Sequence, residues 1–134
     1  MATGVQVTFD AAYPGRLAEF WASALGYVIQ PPPEGFSSWP EFLAEIGVPE
    51  SEWTSRSACV DPDGKGPRLF FQRVPEGKTA KNRVHLDVNV GHDRVEAEVA
   101  RLVGEGASLV RRFDDGRESW VVMSDPEGNE FCLQ

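Results

Sequence analysis

Two places in the second half of the sequence hold side chains that could do chemistry: His85 in "RVHLDVNV", with Asp87 on the same face, and Cys132 in "NEFCLQ". An imidazole titrates near neutral pH, so His85 can bind a ligand or act as a general base. The alternative is a side chain tied down by a hydrogen bond to Asp87 or to a backbone carbonyl. Cys132, between Phe131 and Leu133, can be a metal ligand, a nucleophile or core filling. A reactive thiolate needs a cationic neighbour or a helix N-terminus, and a strand between two apolar residues promises neither. The wall of a pocket is the expectation for it.

The elements that must carry these groups follow from the hydrophobic pattern. "GVQVTFDA" alternates, with Val5, Val7 and Phe9 on one face and Gln6, Thr8 and Asp10 on the other, which predicts a half-buried strand. "PGRLAEFWASALG" predicts a helix, opened by Pro14 and closed by Gly26. Its stripe is Leu17, Phe20, Trp21, Ala24 and Leu25. "RVHLDVNV" alternates again, with Val84, Leu86, Val88 and Val90 on one face and His85, Asp87 and Asn89 on the other. "HDRVEAEVARLVGEG" predicts a second helix, with Asp93 as N-cap, Glu96 in capping-box position and a stripe of Val95, Val99, Leu102 and Val103.

Each half also ends alike, "VDPDGKGPRLFFQ" at 60–72 and "SDPEGNEFCLQ" at 124–134. Proline fixes φ, aspartate bonds the backbone onward and glycine takes positive φ, so both read as a turn into a strand. A strand, a helix and three strands therefore recur: one domain over 1–134, with module one at about 1–76 and module two at about 83–134. Matching their first strands pairs Gln6 with His85. The insertion at 31–56, with Trp39 and Trp53, interrupts the repeat. A long connection of this kind is either a lid or binding loop, or a satellite core covering the end of a sheet.

Composition narrows the function. The chain has 134 residues, 41% hydrophobic and 25% charged, with 21 acidic against 13 basic side chains and a formal net charge of −8. Nucleic acid would require a basic face, so it is excluded as a partner. A cationic or neutral small ligand is mildly favoured. No stretch approaches the length of a membrane span and the start lacks the pattern of a signal peptide. Two widely spaced cysteines suit reduced thiols, and a cytoplasmic location is expected.

The segments "GRLAEFWASALGY", "SEWTSRSACVDPDGKGPRLFFQRVPEGKTAKNRVHLDV" and "DPEGNEFCL" resemble the glyoxalase-like domain group of the vicinal oxygen chelate superfamily, which includes glyoxalase I, extradiol dioxygenases and bleomycin resistance proteins. The resemblance covers essentially the whole chain. It implies an α+β fold of two tandem βαβββ modules forming a half-open eight-stranded barrel or cleft, usually in a homodimer. Metal-using members hold a divalent ion with side chains from the first, fourth, fifth and eighth strands. Carried onto this sequence, those positions are Gln6, Phe70 or Phe71, His85 and Cys132. That set lacks the hard oxygen donors of magnesium or manganese sites and offers zinc only two good ligands. No metal and no other cofactor is therefore expected. The resemblance implies a cavity lined by Gln6, Phe71, Asp87, Trp120 and Cys132, with Trp39 and Trp53 from the insertion. The leading function is metal-independent binding that sequesters a toxic or antibiotic-like compound. The alternatives are a metal-dependent lyase or dioxygenase, and a metal-free enzyme with His85 as base.

Overall fold

The alternation around Phe9 is realised as β1 (Val7–Ala11), in which Val7, Phe9 and Ala11 turn inward and Thr8 and Asp10 outward. Val5 precedes the strand and is exposed, so the buried face is shorter than expected. α1 (Pro14–Leu25) buries Leu17, Phe20, Trp21 and Ala24. Gly26 closes it at φ 71°, where its N–H donates to the carbonyl of Ala22 and a side chain would clash with the backbone.

The computed structural model describes residues 1–134 and divides into two units, Met1–Pro75 and Glu76–Gln134. In the first, β2 (Val28–Ile29) is followed by α2 (Trp39–Glu45), a 3-10 turn at Glu50–Glu52, β3 (Arg56–Val60) and β4 (Leu69–Arg73). The sheet order is β1-β4-β3-β2. β1 and β4 run parallel with Val7 opposite Leu69, and α1 packs against β3 and β4. Phe9 lies between Trp21 and Phe71, with ring centroids 5.2 and 5.1 Å away, which makes an aromatic core under the helix.

The second unit repeats the order with β5 (Leu86–Val88), α3 (Val95–Gly104), β6 (Ser108–Asp114), β7 (Ser119–Ser124) and β8 (Glu130–Leu133). Its sheet order is β5-β8-β7-β6, the same permutation. The fold is thus α+β, two βαβββ modules each built on a four-stranded sheet, and neither sheet closes into a barrel.

The helix of this unit differs from expectation at its start. His92–Arg94 form a 3-10 turn and α3 begins at Val95, with no side-chain cap. Glu96 does not complete a capping box; it binds Arg112 of β6 at 2.7 Å, because an arginine on the adjacent strand offers a charged partner that a backbone N–H does not. Val95, Val99 and Leu102 are buried. Val103 is exposed, and Glu98 takes the inner position, held by Arg101 at 2.7 Å and Arg94 at 3.4 Å.

The duplicated turns do what their residues require. The Asp61 carboxylate accepts from the N–H groups of Asp63, Lys65 and Gly66. The Asp125 carboxylate accepts from those of Glu127 and Asn129. Gly64 and Gly128 sit at φ 70° and 86°, the conformation that lets the next strand begin.

Candidate functional site

The insertion builds a cavity. Ser38 caps α2 by accepting from the Glu41 N–H, and Pro40 fits its first turn. No residue of α2 is buried. Trp39, Phe42 and Leu43 instead line a cavity of about 570 Å³ with Ile29, Trp53 and Phe70. These side chains are half-buried, and Phe42 packs edge-on against Phe36 and Trp39. Both indoles are pinned: Trp39 Nε1 donates to the Gln30 carbonyl at 2.8 Å and Trp53 Nε1 to the Val48 carbonyl at 2.9 Å. The polar lining includes Gln30, Glu52, Arg56 and Arg68. Arg68 sits over the Phe70 ring at 5.1 Å.

Phe71, expected to face a ligand, is fully buried in the core against Phe9. Successive residues of a strand point to opposite faces, so Phe70 takes the cavity face and Phe71 cannot. Gln6 lies just before β1 and is exposed; its carboxamide oxygen accepts from Arg68 Nη1 at 2.9 Å. The residues missed in the sequence are Arg68, Gln30 and Phe42. The run "PRLFFQ" does display Arg68, but only the pairing of β1 with β4 brings it to Gln6.

The second unit has a cavity of about 590 Å³ that brings together His85, Asp87, Trp120 and Cys132, with Lys81, Arg111 and Glu130. Asp87 is opposite Cys132 in the parallel pairing of β5 and β8. His85 Nδ1 lies 3.0 Å from Asp87 Oδ1, an arrangement in which the carboxylate orients the ring. Trp120 stacks on Phe113 at 4.1 Å. Lys81 is paired with Glu130 at 2.7 Å. Burial, and then the neighbouring Asp87 carboxylate, push the Cys132 thiol above its ordinary pKa, which opposes a free thiolate nucleophile.

The two units differ in how well their side chains suit a metal ion. In the first unit the donors do not suit a cation: Gln6 oxygen is taken by a guanidinium, Phe70 and Phe71 have no donor atom, and Gln72 Nε2 donates to Asp10. The second unit differs from expectation. His85, Asp87 and Cys132 each offer one ligand atom, and these all lie within 4.8 Å of one another. Imidazole, carboxylate and thiol suit a borderline ion such as zinc, in kind and in the number that catalytic zinc sites use. The count of two good ligands was short by Asp87.

The family model described as "Glyoxalase-like domain" matches residues 6–134. No curated protein matches the sequence. Among solved structures, a possible glyoxalase from Bacillus cereus is similar at 12% identity and TM-score 0.66, covering 100% of this chain and 99% of that one. A variant of the fosfomycin resistance protein FosX from Listeria monocytogenes, complexed with Mn(II) and 1S,2S-dihydroxypropylphosphonic acid, is similar at 11% identity and TM-score 0.67, over 100% and 90%. A glyoxalase/bleomycin resistance protein/dioxygenase family enzyme from Burkholderia phytofirmans PsJN is similar at 14% identity and TM-score 0.62, over 96% and 93%. No helix is long and apolar enough to cross a membrane.

Proposed function

The chain belongs to the glyoxalase-like domain family, and from that premise we propose that it binds a small aromatic or apolar molecule, without a metal, in the cavity of the first module. Fold does not choose among the activities that this superfamily hosts, so the reading rests on the site. The observation that carries it is the cavity of about 570 Å³ walled by Trp39, Phe42, Trp53 and Phe70. Such a size and an apolar lining with a few polar groups are those of small-molecule sites. No histidine or cysteine lines it, so it offers contact surface and hydrogen bonds but neither an imidazole base nor a thiol. Sequestration of a toxic or antibiotic-like compound, released unchanged, fits that chemistry. Phe70 takes the ligand-facing role expected of Phe71, and Gln6 acts through Arg68. The expected homodimer and cytoplasmic location belong to the same proposal; sedimentation of the purified protein and fractionation of cells expressing it test them.

Titration with naphthamide, a neutral aromatic probe, tests the binding reading. Saturable quenching of tryptophan fluorescence, lost in Trp53→Ala with the fold retained, and recovery of the probe at unchanged mass are the expected results. Wild-type protein that binds neither this probe nor a charged analogue of it, or a probe recovered chemically altered, would overturn the reading.

One observation favours a second reading. His85, Asp87 and Cys132 would hold a zinc-class ion, which supplies Lewis-acid polarisation of a ligand oxygen. Cobalt(II) serves as a spectroscopic probe: a thiolate charge-transfer band that vanishes in Cys132→Ser supports this reading, and a spectrum of hydrated cobalt alone removes it.

A further inference from the structure

Arg68 is held by two side chains that carry no charge. Its Nε donates to Gln30 Oε1 at 2.7 Å and its Nη1 to Gln6 Oε1 at 2.9 Å. Both acceptors are neutral carboxamides, so they fix the guanidinium plane without neutralising it. No carboxylate pairs with it; the arginines that have such partners are Arg94, Arg101 and Arg112. The flat face lies over Phe70, itself a wall of the cavity, and Nη2 carries no hydrogen bond. Gln30 also receives the Trp39 indole N–H on its backbone oxygen. One residue thereby positions both an aromatic wall and the cation beside it.

A guanidinium uses five N–H donors in a planar fork that matches carboxylate geometry. Here two donors set the plane and the outer edge is left for a guest. The lining carries two guanidiniums, Arg56 and Arg68, against one carboxylate, Glu52. Local charge in this cavity is therefore opposite in sign to the net −8 of the chain, and it reverses the preference for a cationic ligand that overall composition suggested.

We propose that the ligand of the first-module cavity is an aromatic or apolar acid, whose anionic group, carboxylate or equivalent, is received by Arg68 while its ring packs among Trp39, Phe42, Trp53 and Phe70. This rests on the binding reading given above and adds the chemical class of the ligand. Gln6 and Gln30 are positioning residues, because they aim the guanidinium and do not themselves supply charge.

Three probes sharing one naphthyl isomer separate the two claims: naphthoate, naphthamide and naphthylmethylammonium, titrated into wild-type protein at fixed ionic strength. Naphthoate is expected to bind tighter than naphthamide by about tenfold or more, the worth of a charge-assisted hydrogen bond, and naphthylmethylammonium weakest. Raising salt should narrow that gap without abolishing naphthamide binding. Arg68→Met should remove most of the gap between naphthoate and naphthamide, whatever it does to the affinity they share. Equal affinity for naphthoate and naphthamide in wild type overturns the anion preference while the binding reading stands. Binding of none of the three overturns both. The wild-type comparison decides even where the variant fails to fold.

Discussion

Two adjacent phenylalanines offer the sharpest check on which face of β4 lines the cavity. Phe71 has no exposed surface and stacks on Phe9 at a centroid distance of 5.1 Å and an interplanar angle of 21°. Phe70 is partly exposed and covers the cavity wall beneath Arg68. Truncating a fully buried phenylalanine costs about 3–5 kcal/mol through lost burial and the residual cavity. The stacked pair puts Phe71→Ala in the upper part of that range, since such pairs add about 1 kcal/mol. With a urea dependence of roughly 2 kcal/mol per molar, the midpoint should fall by about 2 M. Phe70→Ala should cost roughly 1 kcal/mol or less, as a partly exposed position does, yet weaken naphthamide binding. Circular dichroism against urea and the fluorescence titration read the two effects separately. A large loss of stability in Phe70→Ala together with intact binding would refute the assignment of faces, and with it the cavity as the binding site.

Other consequences follow from burial and from the duplicated turns. Burial holds the Cys59 thiol up at about 11, while an unfolded thiol ionises near pH ~8.5. The folded chain keeps this proton after the unfolded chain has lost it. The associated stability is full below the unfolded value and is lost as pH rises through about 11, on the order of 3 kcal/mol at the limit. Urea midpoints between pH 8 and 11 should thus decline less in Cys59→Ala than in wild type, and equal slopes would contradict the burial argument. Asp125→Ala should destabilise by about 2–4 kcal/mol, because it strands buried turn donors; Asp61→Ala, in the more exposed copy of the turn, should cost less, as thermal melts of the pair would show. Ser38→Ala removes the cap of α2 and should cost about 1 kcal/mol, with weaker naphthamide binding because Trp39, Phe42 and Leu43 ride on that helix.

How much of this could be read in advance depended on whether a feature is local. The α1 stripe, Gly26 and both aspartate–proline–acid–glycine turns are decided within a few residues, and they stand where the pattern put them. Phe70 and Phe71 were ambiguous because a strand with apolar residues at consecutive positions has no alternation to assign its faces. At Glu96 a capping box is a local option that loses to Arg112, sixteen positions away in the sequence. Arg68 was passed over for the same reason: its partners Gln6 and Gln30 are 62 and 38 residues distant. The alternation already put His85 and Asp87 on one face. What sequence could not supply was the pairing that sets Asp87 opposite Cys132.

The duplication therefore separates what the fold demands from what function is free to change. The turn aspartates keep their role in both copies, because each saturates backbone N–H groups that would otherwise be unpaired at the start of a strand. Nothing of that kind constrains the polar positions on the opposite face of the first strands. In the second module they carry imidazole and carboxylate beside the thiol of Cys132, a set suited to a metal ion or to proton transfer. In the first, the carboxamide of Gln6 is spent on orienting a guanidinium, which would repel any cation placed beside it. A polar position that offers an imidazole beside a carboxylate in one copy and holds Arg68 in the other cannot serve the same chemistry twice. The first module is consequently a place for an anion, and the insertion at 31–56 supplies the aromatic walls that such an anion needs if it is carried on a ring.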